Sequence, residues 1–573
     1  MKKIAKIVSL CLVTALTATA VGACGREQQQ SGFRPVDDSK SQIAVANLYG
    51  GLGDAWLRKV ADQFEEKHAE TPFEEGKKGV QVHINNYAPT AMAGGSILSK
   101  IEFSSDAIYL GEQISPKDFA ASGKVLDITD LISTPLTEYG ESESILDKLD
   151  DYLVENIKTN EDKYYVLPFY EAFYQMYYDA DLFDYNGFYF KEGASADGLD
   201  VLNLDVTIDH LFVLDSTDTK SVGPDLQAGT TDDGLPVTYN DFLALARYMA
   251  IDSATGVVPV VWTGQFVGYM LSYCVSLWAN EEGYEDMMKL LSLSGQLDEL
   301  IDVADNGVVT ELDPVELNTD NGYMFQKQSS RYEVLKFLEK FIKNSYHYDP
   351  KSLGSGYSHL GAQDQFLYSR NLSNVDDIGI LIEGSWWNHE ASATFNTMAA
   401  ESGEEWSRQN RRIGVLPPFR SDRTQSETTL VALNDSYCCL NGNLKGAQKT
   451  IAEQFFRYLH TDQALSTFTS IVGMTRAFDY EVDEDTYEAM PYYAKSMYDL
   501  KKNSKVIYPE SKVSKIYNNE SFFDFNSFGF TMEWNGSTYT NPFVVFNNQK
   551  EVTAETYFKG IYTSTQKRWA TLG

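Results

Sequence analysis

Residues Ile43-Ala-Val-Ala-Asn-Leu-Tyr49 form an apolar run, followed by Gly50-Gly51-Leu52-Gly53 and then by Asp54. Beyond Asp54, the residues Leu57, Val60, Ala61 and Phe64 fall at helical spacing on one face. This predicts a strand, a glycine turn and a capped amphipathic helix. A second strand is expected over Val80–Ile84 and a third over Ser105–Glu112, the latter ending in polar residues. Alternation of this kind commits a chain to an α/β fold built on mainly parallel sheets, with ligand groups at the carboxyl ends of strands.

The pattern continues to the end of the chain. Helical faces are expected at Phe242, Leu245, Ala246 and Met249, at Val334, Phe337, Leu338 and Phe341, and at Ile451, Phe455, Tyr458 and Leu459. Short apolar strands are expected over Val257–Trp262, Ile378–Ile382, Ile413–Leu416 and Thr428–Leu433. No repeat of fixed period is present. At 573 residues, length alone allows roughly two to four domains.

The first residues follow another logic. Lys2, Lys3 and Lys6 precede an uncharged stretch from Ile7 to Val21, which is short for a membrane span and ends in Val21-Gly22-Ala23-Cys24. The stretch resembles a secretory signal (1–23) closed by a lipobox. The expectation is cleavage before Cys24 and attachment of a diacylglyceryl lipid to its sulfur, with acylation of palmitate type. The polar segment 24–42 contains Gln28-Gln29-Gln30 and reads as a tether. The expected location is the outer face of a bacterial cell membrane.

Charge narrows the partners. The chain has 47 basic and 82 acidic residues, a net charge of −35, and so lacks the basic footprint that nucleic acid requires. Apart from Cys11 and Cys24, the cysteines are Cys274, Cys438 and Cys439, whose spacing fits no zinc pattern and which are expected as buried thiols. Aromatic residues make up 13% of the chain, with 36 tyrosines, which points toward flat, partly apolar ligands such as sugar rings. Gly50–Gly53 lacks the Lys and Ser/Thr of a phosphate loop. No H-E-x-x-H or G-x-S-x-G pattern occurs, so no catalytic residues are assigned.

The most informative stretch runs Asp162-Lys163-Tyr164-Tyr165-Val166-Leu167-Pro168-Phe169-Tyr170-Glu171 and on through Tyr174-Gln-Met-Tyr177-Tyr178-Asp179-Ala180-Asp181-Leu182-Phe183. It resembles the family 1 extracellular solute-binding proteins of ABC importers, the broad group of maltose-binding protein. Their pattern "G-K-Y-Y-x-L-P" leads into a tyrosine-rich strand ending near "Y-N-K-D-L-F". Here Asp162 replaces the usual Gly and Asp179-Ala180 the usual Asn-Lys. Further landmarks in the same order are Gly123-Lys-Val-Leu-Asp127, Gly379-Ile-Leu-Ile-Glu-Gly-Ser-Trp386-Trp387 and Gly414-Val-Leu-Pro417-Pro418.

The resemblance implies a two-lobed periplasmic-binding-protein-like fold, with lobe I over 43–168 and 434–480 and lobe II over 169–433 and 481–573. Two or three hinge crossings would lie near Pro168–Phe173, Leu433–Ser436 and Phe478–Glu481. It also implies a monomer that captures a carbohydrate and delivers it to ABC permease subunits, without a cofactor. Carried over by position, the ligand wall comprises Tyr49, Gly51, Asp54, Asn86, Tyr87, Glu112 and Gln113 from the first lobe and Tyr170 and Glu171 from the crossing. The second lobe would add Trp262, Thr263, Gln265 and Trp386. Trp56 is expected in the core, and Trp387 on the face of an extended chain opposite Trp386.

Two alternatives remain open at this level. Asp215, Asp218, Asp225, Asp232 and Asp233, interleaved with glycines, form either a structural calcium loop or a solvated surface insertion within 201–234. A second inserted segment is expected over Ser521–Asn541. The rivals to sugar capture are a cell-surface glycoside hydrolase, which needs two carboxylates across a bond, and a binder of peptide or polyamine.

Overall fold

A computed structural model describes residues 34–372, 375–424, 427–433, 436–509, 514–515, 530–534 and 537–570. Cys24, the segment before it and most of Ser521–Asn541 lie outside the described residues. No helix among the described residues is long and apolar enough to cross a membrane.

Two sheets organise the chain. The first runs in the order Val80–Tyr87, Ser41–Leu48, Ile108–Gly111, Tyr437–Leu440, Leu167–Pro168. Its first three strands pair in parallel, with Val45 opposite both Ile84 and Ile108. The second runs Ile413–Leu416, Tyr174–Asp179, Ile378–Gly384, Val258–Trp262, with the last two parallel. Each sheet also takes in strands that run the other way: Tyr437–Leu440 is antiparallel to both of its neighbours, and so is Tyr174–Asp179. These are the strands next to the crossings, where the chain enters a lobe from its partner.

The helices bury the faces their spacing predicts. Ala55–Lys67 turns Trp56, Leu57, Val60, Ala61 and Phe64 inward. There the Trp56 ring meets the Phe468 ring edge-on at 5.0 Å, so Trp56 is core. In the second lobe Phe242, Phe337 and Phe341 pack together, from helices Tyr239–Arg247 and Ser329–Lys343. Burying each such side chain contributes about 1.5–3 kcal/mol. Cys274, Cys438 and Cys439 are buried free thiols.

Three passes join the lobes. Residues 169–173 lead from the first sheet to the second, the chain returns between Val431 and Tyr437, and it leaves again beyond helix Asp462–Val472 for helix Tyr492–Lys502. The first two passes are laced together. Ala172 and Leu433 exchange both main-chain hydrogen bonds, at 3.1 and 2.8 Å, and the Ser436 hydroxyl donates to Tyr170 O at 2.7 Å. A narrow ladder between lobes is a geometry at which hinge motion can be taken up.

Candidate ligand cleft

The first lobe presents the turn after its first strand. Asn47 is fully buried, and its amide donates to Gly53 O and to Asn86 Oδ1, both at 3.0 Å. Asn86 in turn donates to Asp54 Oδ2 at 2.6 Å, and Arg58 donates to the same oxygen at 2.5 Å. Asp54 therefore does not cap its helix with its side chain, as expected, but anchors the turn. Gly51 and Gly53 have φ of +70° and +63°, the left-handed region that favours glycine. Tyr49 lies beside them, its main-chain N–H donating to Tyr87 O at 3.1 Å. The Tyr87 hydroxyl points away from the turn, to Asp106 at 3.2 Å.

The second lobe meets this turn directly. A Cβ placed on Gly51 would lie 3.8 Å from Trp386 Cβ, and one on Gly53 would lie 2.7 Å from His389 Cε1. The His389 ring is hydrogen-bonded to the Gly51 main chain; burial, then nearby Arg408, pushes its pKa down to about 4. Arg408 also donates to Ile471 O, at the end of the first-lobe helix Asp462–Val472, and so ties the lobes at a second point.

Around Trp386 lies an aromatic cluster. Its indole is half-buried and meets Tyr174 at 5.5 Å and Tyr269 at 5.8 Å, both edge-on, while Tyr269 stacks on the exposed Phe266 at 5.7 Å. Gly384 makes room for the indole, since a Cβ there would sit 2.2 Å from its ring. Trp387 is fully buried. The two indoles part company because Trp387 begins a short helix, Trp387–Glu390, and not because an extended strand alternates. At the crossing, the Tyr170 hydroxyl reaches Glu112 Oε2 at 3.4 Å, and Gln113, next in the chain, is exposed with φ of +52°.

Several expected wall residues are elsewhere. Glu171 is fully buried behind the crossings, where it accepts from Thr475 at 2.8 Å and Tyr508 at 2.9 Å, and burial raises its pKa. Trp262 is 1% exposed and packs on Tyr348 at 5.1 Å, because the last residue of its strand turns into the second-lobe core. Thr263 is buried too, its hydroxyl donating to Tyr357 O at 3.0 Å. Gln265 is exposed, and its main-chain N–H donates to Tyr357 O at 3.0 Å.

The Asp/Gly-rich insertion closes on its own hydrogen bonds. Asp215 is taken up by Thr217, and Asp218 by the main-chain N–H groups of Leu214 and Asp215. Among the described residues, no three His, Cys, Asp or Glu side chains converge to hold a metal. Asp215 and Asp218 are thus engaged within the insertion itself.

Residues absent from the expected wall are Tyr174, Phe266, Tyr269, His389 and Arg408. Tyr174 stood inside the tyrosine-rich motif. Phe266 and Tyr269 are spaced i, i+3 just after the strand Val258–Trp262, which is where strand-end ligand groups are sought.

Two sheet-centred lobes, three passes between them and an aromatic contact where they meet define a two-lobed α/β architecture. No protein-family description matches the chain, and no curated protein matches it. Among solved structures it is similar to the SBP RafE in complex with raffinose, at 13% identity over 92% of this chain and 100% of that one, TM-score 0.49. It is likewise similar to maltose-bound T. maritima MalE3, at 13% identity over 92% and 99%, TM-score 0.48. A family 1 extracellular solute-binding protein from Bifidobacterium longum subsp. infantis is similar at 14% identity over 93% and 100%, TM-score 0.44.

Proposed function

We propose that the chain is an extracytoplasmic substrate-binding lipoprotein, lipid-anchored at Cys24, that captures a carbohydrate, an oligosaccharide in particular, and delivers it to an ABC permease. The observation that carries this reading is the cluster of Trp386, Tyr174 and Tyr269, with Trp386 set against Gly51 of the other lobe, together with the Glu112–Tyr170 pair at the crossing. Ring faces cover the C–H face of a pyranose, and a carboxylate and a phenol exchange hydrogen bonds with its hydroxyls. The named ligands of the similar structures, raffinose and maltose, are of the same class. Ligand contacts from both lobes would favour the arrangement in which the lobes touch, and that difference is what a permease can recognise. A lipid and a loose tether keep the protein within reach of that permease and raise its effective concentration there.

Calorimetric titration of the purified protein with a panel of oligosaccharides tests the reading. Binding without turnover, and nearly indifferent to salt, is expected. Cleavage of the glycan would make the protein a hydrolase, and affinity only for a cationic ligand, falling with salt, would make it a polyamine binder.

A further inference from the structure

The second lobe contains a cavity of about 530 Å³, apart from the lobe contact. It opens beneath the insertion, beside helix Tyr492–Lys502. Its wall carries the rings of Tyr178, Tyr189, Tyr487 and Tyr492, of which Tyr178 is 1% exposed. The hydroxyls of Tyr178 and Tyr492 meet at 3.2 Å, which fixes two of these rings against each other.

Charge in the cavity is one-sided. Its two cations are already engaged: Arg412 pairs with Asp184 and lies over Tyr492 at 5.0 Å, and Lys220 pairs with Asp184 at 3.4 Å and lies over Tyr189 at 3.2 Å. Asp184 does not line the cavity. The lining carboxylates have no such partner. Asp232, 8% exposed, accepts from Thr230 at 2.7 Å and from the Asp225 main chain at 3.0 Å, and it faces the Asp225 carboxyl. Asp499 accepts from Tyr487 at 2.8 Å and Thr231 at 3.3 Å. Asp233 accepts from the Gly229 N–H at 2.8 Å, and its Oδ1 is buried without a hydrogen-bond partner. None of the three forms an ion pair within 4.0 Å among the described residues.

We propose that this cavity is a second ligand site, for a small organic body bearing a primary ammonium group. An ammonium donates to an ionised carboxylate, and Asp232, Asp233 and Asp499 supply carboxylates at separate points of the cavity wall. Its α-carbons carry part of the charge and suit tyrosine faces, an attraction that strengthens as water leaves. A neutral sugar would leave the surplus negative charge uncompensated, and a bare divalent ion would lack converging ligands, as stated above.

The site has a pH signature. Burial raises the Asp232 pKa to about 7, with Asp225 adding to the effect. The other groups facing it are Asp233 on its own loop, Asp499 and Tyr492 on the helix, and Lys220 and Arg412 on the flanking segments. An ammonium binds the ionised carboxylate, so affinity climbs with pH up to about 7 and levels above it, by at most tenfold per pH unit.

The test is calorimetric titration of the full-length protein with 1,5-diaminopentane at pH 6 and pH 8. The expected result is binding that is stronger at pH 8, weakened at least tenfold by Asp232→Asn, and unchanged by Trp386→Ala in the cleft. Asp499→Asn, expected to weaken binding similarly, serves if Asp232→Asn does not fold. Absence of binding to the folded wild type, equal binding by the Asp variants, or loss of binding in Trp386→Ala would overturn the proposal. The Trp386→Ala arm separates this site from the cleft, so failure of either reading is seen independently of the other.

Discussion

Gly53 of the first lobe and His389 of the second touch so closely that no side chain fits between them: a Cβ on Gly53 would fall 2.7 Å from the imidazole Cε1. The contact depends on φ of +63° as well, which costs an ordinary L-residue roughly 1–2 kcal/mol. Gly53→Ala should therefore disfavour the touching lobes while leaving each lobe folded. The expected outcome is an affinity for the cleft ligand about tenfold lower, read by calorimetry, with an unaltered far-ultraviolet circular dichroism spectrum. Unchanged affinity would show that lobe contact is not coupled to ligand.

The same contact gives a pH dependence. The folded-state pKa of His389 is depressed to about 4 from its ordinary value of 6.5, by burial and then by Arg408, with the Gly51 main chain and Asp54 opposing. When a base has a depressed pKa, its neutral form is the one the structure accommodates. Its contribution is present above about 6.5 and is lost as pH falls toward 4. Cleft affinity should weaken over that range, and His389→Asn should flatten the profile. A profile identical in the variant would remove His389 from the coupling.

Trp386, Trp387 and Trp262 should separate cleanly under substitution. Trp387→Ala and Trp262→Ala empty buried volume and should each cost about 3–5 kcal/mol of stability. Trp386→Ala should leave the denaturant midpoint nearly in place and lower affinity by roughly 10–100-fold, as expected when a central aromatic contact is lost. Denaturant unfolding and calorimetry on the three variants decide this. A strongly destabilised Trp386→Ala with normal affinity would reverse the assignment.

Glu171 is a hinge group whose raised pKa comes first from burial, with Lys501, Thr475 and Tyr508 opposing. A carboxyl with a raised folded-state pKa contributes stability that is full below its unfolded value and declines as pH rises through the folded one. Glu171→Gln keeps the hydrogen-bonding shape and cannot ionise. The variant should gain stability relative to wild type as pH rises above the ordinary glutamate range, measured by urea midpoints across pH. A parallel displacement at every pH would mean that Glu171 stays ionised in the fold.

What the sequence showed, and what it hid, follows from range. Period and glycine placement are local, so the strand, turn and helix from Ile43 to Phe64 could be read directly, as could the core role of Trp56. The tyrosine-rich stretch placed Tyr170 near the cleft, but it could not tell Tyr170 from Glu171. That distinction depends on Thr475 and Tyr508, more than 300 residues away, which close over one neighbour and not the other. Trp262 was misplaced for a related reason. Strand ends do point toward the ligand side, yet Phe341 and Tyr348 cover this one. His389 gave no local sign, because its role exists only where two lobes built from distant segments meet.

The most direct test of the central claim is calorimetric titration of the wild-type protein and of Trp386→Ala with neutral oligosaccharides at low and high salt. The predicted result is saturable binding by the wild type, unaffected by salt, without cleavage of the sugar, and lost or weakened at least tenfold in the variant. Failure of every sugar to bind, or equal binding by the variant, would contradict it.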